Sequence, residues 1–264
     1  MSGYRIVTVA LPYGQNMRVT VPRGAIDSVL FLGVGQRGKN LYWVANEAPE
    51  RMAVVEALPY MRLKQTSDIK PFAQQSIQIV LELLAVQNGK YDVYAESQAA
   101  PSVVFAVASR AVPQPRQMIL LAPLGCNVES FGQQADVQYK NVLQRSRKSW
   151  QRQSLLQRSE RETLRQIVAE TLLCPAHTKR MYQFGIRQNS VHEIKAIASS
   201  GIPVHIYAGS DDPLFPYSEI VQQFNERGTN ITLHRYETRC HVNRANPVGL
   251  QQLNTIYTSY TKNQ

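Results

Sequence analysis

The chain has 264 residues, 44% of them hydrophobic and 18% charged, and a formal net charge of +10. It is long enough for one large domain with a substantial core, and it holds no collagen-like or disordered low-complexity tract. No stretch of about 18 uninterrupted apolar residues occurs, which excludes a membrane-spanning helix.

In chain order, residues 4–10 alternate as a strand, Pro12 to Asn16 is turn-rich, and residues 17–21 alternate again, so the chain opens on an antiparallel hairpin. The same opening has one Arg and lacks a signal peptide's apolar core, which leads us to expect a cytoplasmic location. Residues 28–32 form a short apolar run ending in Gly33-Val34-Gly35, the pattern of a buried strand entering a loop. A short helix is expected over 41–48 and a second buried strand over 52–58. A long helix should follow over 68–87, with Ile77, Leu81 and Leu84 on its apolar stripe and Asn88-Gly89 as its stop. Residues 91–95 read as a strand, 99–111 as a helix rich in small residues, and 117–122 as another buried strand.

The composition then shifts. Residues 126–200 hold no convincing strand and are rich in Gln, Arg, Ser and Lys, with helices expected over 137–157 and 159–173. From Lys140 to Arg165 there are eight basic and two acidic residues, a local net charge of +6. Such a face could draw an anionic partner; the simpler reading is a solvated helix surface. Strand and helix resume at 203–208, 217–227, 231–236 and 248–261. Strands alternating with helices imply a mostly parallel central sheet with helices on both faces. A segment as long as 126–200 should be a helical cap over one sheet edge, because a structureless loop of that length is rare in a compact domain. The expected division is therefore a core of 1–125 and 201–264 and a cap of 126–200.

Three segments carry candidate chemistry. In Glu96-Ser97-Gln98 a strand runs into a serine and a helix starts just after it, with Ala95 and Ala99 two residues to either side. This resembles a nucleophile elbow, G-x-S-x-G, with both glycines replaced by alanine. Such a turn lifts the hydroxyl clear of the sheet edge and aims the Gln98 N–H, at a helix N-terminus, toward an oxyanion. Alone, the same serine reads more readily as an ordinary N-cap, and the other two segments reverse that reading. In Ala208-Gly209-Ser210-Asp211-Asp212-Pro213 a buried strand ends in glycine and two acids, either of which could face the same crevice or merely shape the turn. His241 lies in a loop between the last strand and the last helix. Of the other histidines, His205 and His234 fall inside expected strands, where a satisfied structural role is simpler, and His177 and His192 lack this placement.

On these residues the chain resembles the α/β-hydrolase superfamily, whose triad runs in the order Ser, Asp, His. Gly209-x-x-Asp212-x-Leu214-Phe215-Pro216 is similar to that family's acid turn, and the resemblance selects Asp212 over Asp211. It implies that Ser97 is the nucleophile, His241 its base and Asp212 the group that orients the imidazole. It also implies a second oxyanion donor near Gly33-Val34, with Val34 N–H as the candidate beside Gln98. Many members carry His-Gly at that strand end, whereas this chain has Leu32-Gly33; the alanines of the elbow are a second departure. Glu96 before the serine is similar to some carboxylesterase elbows.

The expected activity is hydrolysis of a small acyl substrate, an ester, thioester or amide. Two other readings are C–C hydrolysis, acyl transfer or perhydrolysis on the same fold, and an inactive docking protein with a basic cap. Three scattered cysteines, Cys126, Cys174 and Cys240, make neither a disulfide framework nor a zinc ribbon, so no metal is expected. Gly33 to Gly38 spells G-x-G-x-x-G with Glu56 about 20 residues on, but its strand is not the first and a hairpin precedes it. No cofactor is therefore expected. Neither the substrate nor the oligomeric state is legible.

Overall fold

Residues Tyr4–Leu11 (β1) and Gln15–Pro22 (β2) pair antiparallel in full register, from Tyr4 opposite Pro22 to Leu11 opposite Gln15. The turn between them is shorter than its sequence suggests. It is a single 3-10 turn, Pro12–Gly14, in which Tyr13 and Gly14 both adopt left-handed backbone with φ of 59° and 63°. The computed structural model describes residues 3–33, 37–59, 63, 65–126, 189–210, 212, 217–224 and 229–236.

Beyond the hairpin the strands are Ser28–Phe31 (β3), Met52–Val55 (β4), Asp92–Glu96 (β5), Gln117–Leu121 (β6), Val204–Gly209 (β7) and Ile231–Tyr236 (β8). The helices are Lys39–Glu47 (α1), Ile69–Leu83 (α2), Ala99–Ala108 (α3), Val191–Ser199 (α4) and Tyr217–Phe224 (α5). Among the described residues the strands form one eight-stranded sheet in the order β1-β2-β4-β3-β5-β6-β7-β8. β3 to β8 are parallel to one another, and only the β1–β2 and β2–β4 pairings are antiparallel. Parallel strands need helical crossovers, so both faces of such a sheet are covered and its strands read as unbroken apolar runs.

The two-residue period of a strand sorts these runs onto two faces. Val29, Phe31, Ala53, Val55, Val93, Ala95, Met118, Leu120, Val204 and Ile206 join one core cluster with α2, α3, α4 and α5. Leu30, Leu32, Met52, Val54, Tyr94, Ile119, Leu121 and Tyr207 join the other, with Leu41 and Val44 of α1. α3 is buried at every position from Ala99 to Val107, which its run of small and apolar residues permits. α4 lies within the segment expected to be cap, and its buried residues Val191, Ile194, Ile197 and Ala198 join the main core against α3.

Two helices stop earlier than their sequences suggest. α2 ends at Leu83 rather than 87 in a Schellman motif: Ala85 turns left-handed at φ 51°, its N–H bonds Glu82 O, and Val86 N–H bonds Leu81 O. α3 ends at Ala108 rather than 111, where Arg110 at φ 56° donates to Val107 O. Both caps use a residue with a Cβ in the place glycine usually fills, so neither stop shows in the sequence. The expected helices at 137–157, 159–173 and 248–261, and with them most of the expected cap and its basic run, lie outside the described residues. Among the described residues no helix is long and apolar enough to cross a membrane.

Candidate active site at the C-terminal edge of the sheet

β5 delivers Ser97 to the sheet's C-terminal edge and α3 leaves from it two residues later. Ser97 has φ 48°, a left-handed conformation that costs an L-residue roughly 1–2 kcal/mol. The neighbours that must be small are small: Ala95 is fully buried and Ala99 is 5% exposed. Ser97 and Gln98 are half-buried, whereas every residue from Tyr91 to Glu96 is buried. Gln98 is the N-cap of α3, in helical conformation, so its N–H belongs to the helix terminus that follows the serine. Of the sequence-derived candidates, Ser97 and Gln98 thus share one sharp turn.

Hydrogen bonds hold that turn to β6. Ser97 N–H donates to Leu121 O at 2.9 Å, and Ser97 O accepts Ala100 N–H at 3.2 Å and Leu124 N–H at 3.1 Å. Just past β6, Ala122 is also left-handed, at φ 43°, and donates its N–H to Tyr207 O at 2.8 Å. Two strained non-glycine residues on one sheet edge fit a functional site, where such strain is retained by surrounding structure. An alanine carries no sequence mark of a positive φ, so Ala122 could not have been foreseen.

The end of β3 presses on the same turn. A Cβ on Gly33 would lie 3.2 Å from Ser97 Cβ and 3.2 Å from Glu96 O, tighter than ordinary contact, so any side chain here would require its neighbours to give way slightly. Gly33 N–H faces the Glu96 carboxylate, with 3.4 Å to Oε2. Glu96 is fully buried. Its inward position could have been found from the two-residue period of β5, which places it on the same face as Tyr94. Val34, the second oxyanion candidate, lies outside the described residues.

Asp212 follows the end of β7 and is 2% exposed. β6 alone separates β5 from β7, so the strands that lead into Ser97 and Asp212 run about 10 Å apart and end on the same edge. β7 and β8 stay joined past their ends by Ser210 N–H to Tyr236 O at 2.9 Å. The Tyr236 phenol is pushed up from its ordinary value, first by burial and then by the carboxylates of Asp212 and Glu96. Tyr236 is thus within electrostatic reach of both acids, which its sequence position did not suggest. His241 and Asp211 lie outside the described residues.

His205 and His234 behave as satisfied structural groups, and His177 lies outside the described residues. His205 Nδ1 and His234 Nε2 are 3.2 Å apart, and His234 stacks on Tyr207 at 4.1 Å with ring planes 6° apart. Burial, followed by the neighbouring His234, pushes His205 down to about 4, against a smaller upward pull from Asp92. Burial also lowers His234. Glu56, which the dinucleotide reading would place on a ribose, is engaged by Arg18. Arg18 N–H donates to Oε1 at 2.7 Å, and its guanidinium lies 3.1 Å from Oε2.

No protein-family model and no curated protein matches the sequence. Solved structures do. A protein of Acinetobacter baumannii described as a candidate lipase superposes with a TM-score of 0.70 at 12% identity, over 100% of this chain and 94% of that one. The naproxen esterase (carboxylesterase NP) of Bacillus subtilis gives 0.60 at 11% identity, over 98% and 90%. An alpha/beta fold family hydrolase of Bacillus anthracis gives 0.59 at 12% identity, over 97% and 99%. At such identities the likeness is one of fold.

Proposed function

We propose that this chain, an α/β-hydrolase by fold, cleaves a carboxylic ester or related acyl bond through a covalent intermediate on Ser97. The observation that carries the reading is Ser97 itself. It is a left-handed, half-buried serine at the tip between β5 and α3, on the edge where Asp212 also lies. An N-cap needs no positive φ; its backbone is ordinarily extended. The esterase and lipase descriptions of the similar structures support the same class.

In this reading Ser97 Oγ attacks the substrate carbonyl carbon while His241 takes the hydroxyl proton. The tetrahedral oxyanion is held by Gln98 N–H and by Val34 N–H. Collapse breaks the bond to the leaving group, which receives the proton from His241. Water then attacks the acyl-serine, His241 taking its proton and returning it to Ser97 Oγ, and the carboxylic acid departs. Asp212 orients the imidazole and stabilises its cationic form.

A fluorophosphonate probe and a p-nitrophenyl ester test this. The wild-type chain should be labelled at Ser97, and Ser97→Ala should lose labelling and at least about 10³-fold in turnover. Undiminished turnover in that variant removes Ser97 from the chemistry.

A further inference from the structure

We infer that Glu96 is a positioning residue for the chemistry at Ser97, its buried carboxylate holding Gly33 against the nucleophile turn. This rests on the hydrolase reading above and adds a residue to it. Glu96 is fully buried on the strand end that carries Ser97, and its Oε2 accepts Gly33 N–H at 3.4 Å. Its Cγ would be 3.7 Å from a Cβ on Gly33, so methylene and carboxylate together line that backbone. Burying a carboxylate is costly unless it is bonded, and an apolar side chain would fill the same space without that cost. What an apolar side chain could not supply is an acceptor for the Gly33 N–H.

Gly33 is where the chain leaves the sheet beside Ser97. Fixing its peptide plane fixes the direction of departure. Chemistry at an attacking hydroxyl tolerates misplacement poorly, since a shift of about 1 Å can cost roughly a hundredfold in rate. Glu96 touches no reacting atom in this scheme and acts through Gly33.

Two conservative variants of the full chain separate this role from charge and from packing. Glu96→Gln keeps the reach and an acceptor oxygen; Glu96→Asp keeps the charge and falls one methylene short of Gly33. The readouts are the fluorophosphonate labelling rate, kcat and KM for p-nitrophenyl acetate, and Tm. The Gln variant should label within about threefold of wild type. The Asp variant should lose roughly tenfold to a hundredfold in labelling and kcat, with KM changed less than about threefold. If the Asp variant does not fold, Glu96→Met takes its place with the same expectation, since it fills the volume without an acceptor. An Asp or Met variant matching wild type, an Asp variant faster than Gln, or equal losses in both that follow Tm would overturn the role. A wild-type chain that takes no probe removes the hydrolase reading and this role with it; a labelled wild type with an unaffected Asp variant removes this role alone.

Discussion

Gly33 and Ser97 sit so close that a methyl group on the first would lie 3.2 Å from the Cβ of the second. Ser97 cannot retreat readily, because its N–H and carbonyl are bonded to Leu121, Ala100 and Leu124. Gly33→Ala should therefore displace the strand end rather than the serine. We expect a drop of about tenfold or more in kcat with a small change in KM, the mark of an interaction needed at the transition state. Steady-state kinetics on a p-nitrophenyl ester checks it, and an unchanged kcat would show that the contact relaxes at no cost to the reaction.

The left-handed backbone of Ser97 makes activity and stability pull apart. Glycine at 97 removes about 1–2 kcal/mol of steric strain and adds about 0.5–1 kcal/mol of chain entropy to be lost on folding. Ser97→Gly should thus be more stable than wild type by about 0.5–1 kcal/mol. Ser97→Ala, which keeps the Cβ, should show no such gain. Both should be inactive. Urea unfolding of the three proteins distinguishes the outcomes.

At the opposite edge of the sheet Asp92 is a structural anchor. Its carboxylate takes two bonds of 2.8 Å from Arg116, through Nε and a terminal nitrogen, and one of 3.0 Å from Gln117. Asp92 is 5% exposed and Arg116 34%. Asp92→Ala should destabilise by about 2 kcal/mol, less than the roughly 3–5 kcal/mol of a fully buried pair because water partly screens the arginine. Per-molecule activity of the folded fraction should be unchanged.

Acid should loosen the β7–β8 pair. His205 is held down to about 4 and His234 is lowered too, so the unfolded chain, with histidines near 6.5, binds protons first. Their contribution is fully present above about pH 6.5 and is lost as pH falls toward about 4. The contact itself needs one ring to donate and the other to accept, so double protonation ends it. His205→Gln should flatten the fall in Tm between pH 6.5 and 4; an unaltered slope would assign that fall to carboxylates instead.

Much of this arrangement can be read along the chain where the signal is local. The apolar runs at 28–32 and 117–122 end in turn residues, and they are β3 and β6. Ser97 stands out because a strand and a helix meet there with alanines on both sides. Signals that depend on pairing or on unusual backbone do not show. Ala85 and Arg110 end helices without a glycine to mark the stop. The His205–His234 contact joins residues 29 apart and requires the register of β7 and β8, in which His234 lies opposite Tyr207. The period of β5 turns Glu96 inward, but its approach to Gly33 requires the pairing of β3 with β5.

The bonds that tie Ser97 to β6 give this turn no local way to melt. The Ser97 amide proton should exchange with solvent only when the middle of the sheet opens, as slowly as those of β5 and β6 themselves. On warming, therefore, the turn that holds the proposed nucleophile and the middle of the sheet should be lost at the same temperature.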